Sequence, residues 1–276
     1  MNSTLQPDEP LAPRHPLPGG RQVDRDAHIL ELCRGKKVLH LACAAWPATR
    51  AWCEDGSLLH LRMSKVARRL AGFDWSQEGL DVLKEQGLPD LHRLNLLDEK
   101  DVEAGWAKLD FEPDIIVAGE LLEHLDRAGM VLESCRRMMS DNCRLILTVP
   151  NAFSIRSFLH ILRGYEKVAK DHVSYYSYSN VRELVERNGF DLDKVTWYRY
   201  SFSRKFADKV VDLVLSPVTW IWPQLSEGLI AECSLAKEKA TESATASDAA
   251  TDDETDDETA SQPSQIQARH VGLATP

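Results

Sequence analysis

The spacing of apolar residues changes several times along the chain, and each change marks an element. Residues 37–43 (K-V-L-H-L-A-C) form a short apolar run of the buried-strand kind. Apolar residues at 58, 59, 61, 63, 66, 67 and 70 make a helical stripe and predict a helix over 57–70. A second strand is expected over 70–74. Ser76 then caps a helix that Gly87 closes. Further strands are expected at 91–95, 113–118 and 143–149, with a helix over 128–139. An amphipathic helix over 179–188 ends at Gly189. Two later strands, 190–201 and 228–235, flank a stretch holding one helix over 204–215. Strands that alternate with helices imply parallel pairing with crossover helices, an α/β doubly wound sheet. In such a sheet ligands bind beyond the carboxyl ends of the strands, near the switch in strand order.

Composition confines this fold to the middle of the chain. Five of the 13 prolines lie within the first 18 residues, a composition that favours extended coil. Residues 241–276 carry eight acids against Arg269 alone, with no aromatic residue. They hold −7 of the net −10, so the rest of the chain is nearly balanced and bulk attraction to nucleic acid is not expected. The expected organisation is a disordered Pro-rich N-terminus at 1–23, one domain at 24–237 and a disordered acidic tail at 238–276. Six cysteines without C-x-x-C spacing argue against a zinc module. The start lacks the pattern of a secretory signal, and the longest uncharged apolar stretch, 213–226, is too short to span a bilayer. A cytoplasmic protein with reduced thiols is expected.

The strand ends carry the candidate chemistry. Asp74 ends the second strand, where an acceptor-only carboxylate can hold both hydroxyls of a ribose, or simply favour the helix start that follows. Asn95 and Leu96 follow the third strand, where an amide can read an adenine edge or belong to an ordinary loop. Gly119 ends the fourth strand and precedes Glu120, Glu123 and His124, whose spacing brings them to one side of a helical turn. Two acids and a histidine can serve acid–base chemistry, the helix dipole or a cap.

These residues reach a family. D-I-I-V-A-G-E-L-L-E-H-L (114–125), followed by C-R-L-I-L-T-V-P-N (143–151), resembles the fourth and fifth strands of class I S-adenosylmethionine-dependent methyltransferases. V-L-H-L-A-C-A (38–44) stands where that family has V-L-D-L-G-C-G, and A-G-F-D-W-S (71–76) is similar to its ribose-binding strand. H-V-S-Y-Y-S (172–177) and the Gly189-Phe190 turn match its later elements, so the resemblance covers about 36–235. It implies a seven-stranded sheet closing on an antiparallel pair, and S-adenosylmethionine as cofactor. His40, Ala42, Ala44, Asp74, Asn95, Leu96, Gly119 and Glu120 would bind that cofactor. His124 and His172 would be the catalytic bases. No metal is expected.

His40 replaces the family's acid, as in a subgroup with His-Leu-Gly-Cys, and Ala42 and Ala44 replace glycines. A working loop would then keep both alanines at negative φ. The implied acceptor is a small molecule, sugar or glycan methylated on oxygen. Trp220 and Trp222 could rest on a membrane surface, but an apolar cap packed on the sheet is the preferred reading. A degenerate methyltransferase acting as scaffold, with the acidic tail for interactions, is the alternative. A nicotinamide oxidoreductase is disfavoured because A-C-A-A-W-P lacks the glycines of G-x-G-x-x-G.

Overall fold

The computed structural model describes residues 14–200 and 206–237. The acidic tail, and residues 1–13 of the Pro-rich N-terminus, lie outside the described residues. Within the stretch expected to be disordered up to residue 23, the chain is tied to the domain. The Trp197 indole donates to the Pro18 carbonyl at 2.8 Å, and the Gln22 amide donates to Ser226 at 2.8 Å.

The elements begin with β1 (Val23–Asp24) and α1 (Arg25–Cys33), which Asp24 caps by accepting from the Ala27 amide. Next come β2 (Lys37–Leu41), the short helices α2 (Thr49–Glu54) and α3 (Leu59–Met63), and β3 (Arg69–Asp74). Helix α4 (Gln77–Glu85) starts at the Ser76 cap and leads to Gly87 at φ 77, as the glycine signal requires. Strand β4 (Leu91–Arg93), helix α5 (Glu99–Trp106) capped by Asp98, β5 (Ile115–Gly119) and α6 (Ala128–Met138) follow. The chain continues with β6 (Arg144–Pro150), α7 (Ile155–Ile161), α8 (Tyr178–Arg187), β7 (Phe190–Arg199), α9 (Phe206–Ile221) and β8 (Gly228–Leu235).

One sheet runs β1-β7-β8-β6-β5-β2-β3-β4. Strands β2 to β6 pair in parallel, and β8 pairs antiparallel with both β6 and β7. The mostly parallel, doubly wound expectation holds, with a C-terminal antiparallel pair. The seven expected strands become eight because the two residues of β1 pair with Tyr198 and Arg199. Both faces are buried. Leu39, Leu41, Ile116, Ala118, Leu145 and Leu147 enter one apolar cluster, while Val38, Ile115, Val117 and Ile146 enter another on the opposite side.

Several boundaries move for physical reasons. The helix expected over 57–70 shrinks to α3, because Leu70 is drawn into β3 opposite Val38. Helix α9 passes through Pro217 instead of stopping at 215. The tryptophans of the expected apolar cap are not buried: Trp220 is 73% exposed and Trp222 49%. Among the described residues no helix is long and apolar enough to cross a membrane. All six cysteines are free and buried.

Candidate active site

Strand order reverses at β2, which lies between β3 and β5. At the carboxyl ends of these strands opens a cavity of about 760 Å³, within the range of small-molecule sites. Its wall combines Ala42, Cys43, Ala45 and Trp46 after β2, Asp74 to Ser76 after β3, and Gly119 to Leu121 after β5. His40, Arg25, Tyr200, His124, Asp171 and His172 complete it.

Asp74 is buried and its two oxygens accept the Ser76 and Ala44 amides, each at 2.8 Å. Burial raises its pKa, and the backbone donors, that of Trp75 among them, pull the other way. Each oxygen keeps a second lone pair for a further donor. The β2–β3 connection departs from expectation at the alanines. Ala42 takes φ 54 rather than a negative value, while Ala44 is not among the residues at positive φ. Ala44 is fully buried, its methyl close to Gly79 of α4, and it is not part of the cavity wall. Of these two alanines, Ala42 alone lines the cavity. His40 is buried, with Nδ1 at 3.2 Å from Nδ1 of His60 and the two rings stacked. Burial pushes the pKa of both rings down, that of His60 to about 3, so the pair is neutral.

Asn95 and Leu96, expected near the adenine, do not line this cavity. Asn95 is exposed, and its side-chain oxygen accepts from the Leu97 amide in a local turn. Leu96 packs toward Phe73, Val102 and Trp106 in a separate crevice.

The segment after β5 also differs from the expected helical turn. Glu120 stands at φ 51, outside the short 3₁₀ turn Leu122–His124. Its carboxylate accepts from Thr148 Oγ1 at 2.9 Å, from the Tyr198 hydroxyl at 2.6 Å and from the Tyr200 hydroxyl. Thr148 also accepts from Arg25 Nε at 3.1 Å. Burial opposes the Arg25 charge, yet Glu120 and the two tyrosines hold its pKa up. Arg25, Tyr198, Tyr200 and Asp171 had no motif to announce them, and Thr148 stood unremarked inside the 143–151 run. A signal existed for the tyrosines: residues two apart on an extended chain share a face.

Glu123 meets the opposite surroundings. It is 1% exposed, and neither oxygen has a hydrogen-bond donor among the described residues. Burial first, then the Glu120 charge, push its pKa up to about 9. Beside it, Nδ1 of His124 lies 3.0 Å from Asp171, and the His124 and His172 rings meet edge to face at 4.6 Å. Burial lowers the pKa of His172. The structure thus brings together His124 and His172, the two expected bases, on one side of the cavity.

A family model described as "Methyltransferase domain" matches residues 26–195, more than half of the chain. The chain belongs to this family. Methyltransferase domains of this class use S-adenosylmethionine as methyl donor. The domain is 22% identical over 174 residues to a ubiquinone biosynthesis O-methyltransferase of Vibrio cholerae serotype O1, covering 60% of this chain and 66% of that protein. A protein of the same name from Paraburkholderia xenovorans is 26% identical over 153 residues, covering 54% and 56%. The chain thus spans just under two thirds of the length of the first of these relatives. Among solved structures, a SAM-dependent methyltransferase from Archaeoglobus fulgidus aligns with TM-score 0.49 at 14% identity, over 76% of this chain and 91% of that one. Magnesium protoporphyrin IX methyltransferase from Synechocystis PCC 6803 with bound SAH gives 0.48 at 12% identity, over 77% and 82%.

Proposed function

We propose that the domain transfers a methyl group from S-adenosylmethionine to a hydroxyl oxygen of a small molecule with an apolar portion. The observation that carries this reading is the cavity itself. Asp74 and the Ala42–Trp46 loop form part of its wall, and His124 and His172 form another part. The residues fit the cofactor. Asp74 retains acceptor capacity for ribose hydroxyls, and Ala42 already holds the left-handed backbone that family glycines provide. Asp74, Glu120 and Asp171 line the space with Arg25 as the one base, a net acidic wall that suits a cationic sulfonium.

When bound, S-adenosylmethionine supplies an electrophilic methyl group. The protein's share is to orient the acceptor oxygen in line with that methyl and to remove its proton. The proton of the acceptor hydroxyl would pass to the imidazole pair of His124 and His172 as its oxygen takes up the methyl group. Asp171 orients His124 for that task.

The apolar part of the acceptor is inferred from the surface. Helix α7 buries no residue and exposes Phe158 and Ile161, and Trp220 and Trp222 are exposed on and just after α9. Such residues suit a lipid-like acceptor, or one presented at a membrane surface, better than a sugar or glycan. The curated relatives' name is compatible with methylation on oxygen.

Calorimetric titration with S-adenosylmethionine tests the reading. Wild type should bind one equivalent, and Asp74→Asn should bind at least tenfold more weakly, since one charge-assisted hydrogen bond is worth about 1.5–3 kcal/mol. Equal curves would remove Asp74 from the site. Absence of binding in wild type would favour the scaffold reading.

A further inference from the structure

Large apolar side chains stand in water on two segments that meet. Phe153, Phe158, Ile161 and Leu162, at and beside α7, are each more than half exposed, and so are Trp220 and Ile221 at the end of α9. Apolar surface gathered in this way on a folded domain marks a contact surface. The two segments are tied at their roots. The Asn151 side-chain amide donates to the carbonyls of Gln224 and Ser226 at 2.9 and 3.0 Å, and Arg156 Nε lies 3.3 Å from Glu227. The start of α7 is thereby held against the turn that follows Trp222.

What covers this patch follows from the charge around it. Residues 151–170 carry Arg156, Arg163, Lys167 and Lys170 against Glu166 alone, in a molecule of net charge −10, and residues 213–226 carry no charge. Arg163, Lys167 and Lys170 are exposed, and among the described residues none of the three pairs with a carboxylate. Desolvation and then the charges of Lys167, Arg156 and Arg163 lower the pKa of His160, which places these cations around one ring. A second copy of the chain would bring that positive charge against itself across a two-fold axis, and like charges repel. A bilayer with anionic headgroups meets both demands. Its interface takes tryptophan and other large apolar side chains at headgroup depth, and it attracts lysine and arginine beside them.

We propose that α7, the segment from it to Lys170 and the Trp220–Trp222 end of α9 form a docking surface for an anionic lipid bilayer, on which the domain rests without crossing it. The surface runs directly into the cavity, because Ala169, Asp171 and His172 belong to the cavity wall. Docking would set that wall at the headgroup layer. Its purpose rests on the methyltransferase reading: an acceptor with an apolar portion would reach His124 and His172 from the bilayer without exposing that portion to water. The docking itself stands on the surface alone.

The test is co-sedimentation of the full chain with vesicles of phosphatidylcholine containing about one third phosphatidylserine, set against vesicles of phosphatidylcholine alone. Wild type should bind the anionic vesicles about tenfold more tightly or better. Salt at about 1 M, where the Debye length shrinks to about 3 Å, should remove most of that difference. Two double variants on separate segments divide the contributions. Lys167→Glu with Lys170→Glu should lose the preference for anionic lipid, and Trp220→Ser with Trp222→Ser should bind both kinds of vesicle about tenfold more weakly. No sedimentation of wild type with the anionic vesicles, no preference for them over phosphatidylcholine, or unchanged binding in either variant would overturn the surface. So would a dimer in solution that the tryptophan variant dissociates, since a second copy would then cover the patch. S-adenosylmethionine titration of the same samples separates the two readings. Cofactor binding without vesicle binding refutes only the docking surface, and vesicle binding without cofactor binding refutes only the methyltransferase reading.

Discussion

Glycine substitution at Ala42 and Ala44 should move stability in opposite directions, although both alanines stand in one short loop. Ala42 holds φ 54, where an L-residue with a Cβ is strained by about 1–2 kcal/mol. Glycine removes that strain but gives back about 0.4–1 kcal/mol through the freer unfolded chain. Ala42→Gly is therefore expected to be neutral to about 1.5 kcal/mol stabilising. Ala44 is fully buried, and its methyl lies 2.7 Å from where a Cβ on Gly79 would stand. Removing it loses about 0.8 kcal/mol of burial and a similar unfolded-state term, so Ala44→Gly should destabilise by roughly 1–2 kcal/mol. At about 2–4 °C per kcal/mol for a domain of this size, thermal melts resolve the difference, and urea unfolding gives the free energies. A melting temperature for Ala42→Gly several degrees below wild type would refute the strain, and a neutral Ala44→Gly would refute its packing role. Cofactor affinity should stay within about twofold in Ala42→Gly. A tenfold gain, about 1.4 kcal/mol, would show that the Ala42 methyl obstructs the site and that the loop is damaged.

Two further outcomes follow from buried groups. His40 and His60 have folded-state pKa values below the unfolded value near 6.5, His60 at about 3, so stability is full above pH 6.5 and is lost as pH falls through the window below it. Each ring should contribute a slope approaching about 1.4 kcal/mol per pH unit, measured by urea unfolding, and a profile no shallower in His60→Phe would refute the assignment. Thr148→Val should cost about 1–3 kcal/mol in the same assay, because Arg25 Nε and Glu120 lose a partner in a dry setting; a neutral result would show that this network does not hold the site.

The sheet was legible because parallel strands buried on both faces read as continuous apolar runs, and residues 37–43, 113–118 and 143–149 are such runs. Caps were legible at Ser76 and Gly87 because their chemistry is local. Helices α1, α5 and α7 escaped notice: α7 buries nothing, and the apolar faces of the other two are interrupted by charge. At the site, Asp74 was found because it ends a recognisable strand. Asn95 stands two residues past the end of β4 and outside the cavity wall. Arg25 and Asp171 act through long-range packing, Arg25 meeting Thr148 across 123 residues of sequence, and no local pattern encodes that meeting.

Backbone strain gives an argument for a functional site that is independent of any family. Among the described residues, Ala42, Ala45, Asp90 and Glu120 are the non-glycine residues at positive φ, and all but Asp90 line the cavity. Each costs on the order of 1–2 kcal/mol and persists only where its surroundings over-determine it. For Glu120 the surroundings are visible: its amide donates to the Thr148 carbonyl at 2.9 Å while hydroxyls and Arg25 grip its carboxylate. Folding alone gains nothing from placing such residues around an open space, since the same β2–β5 pairing is complete before either strained segment begins. The gain lies in the shape of the wall. Strained backbone turns Ala42 and Glu120 toward the same cavity that holds Asp74, His124 and His172, and a chain retained only as a scaffold would have no use for that convergence.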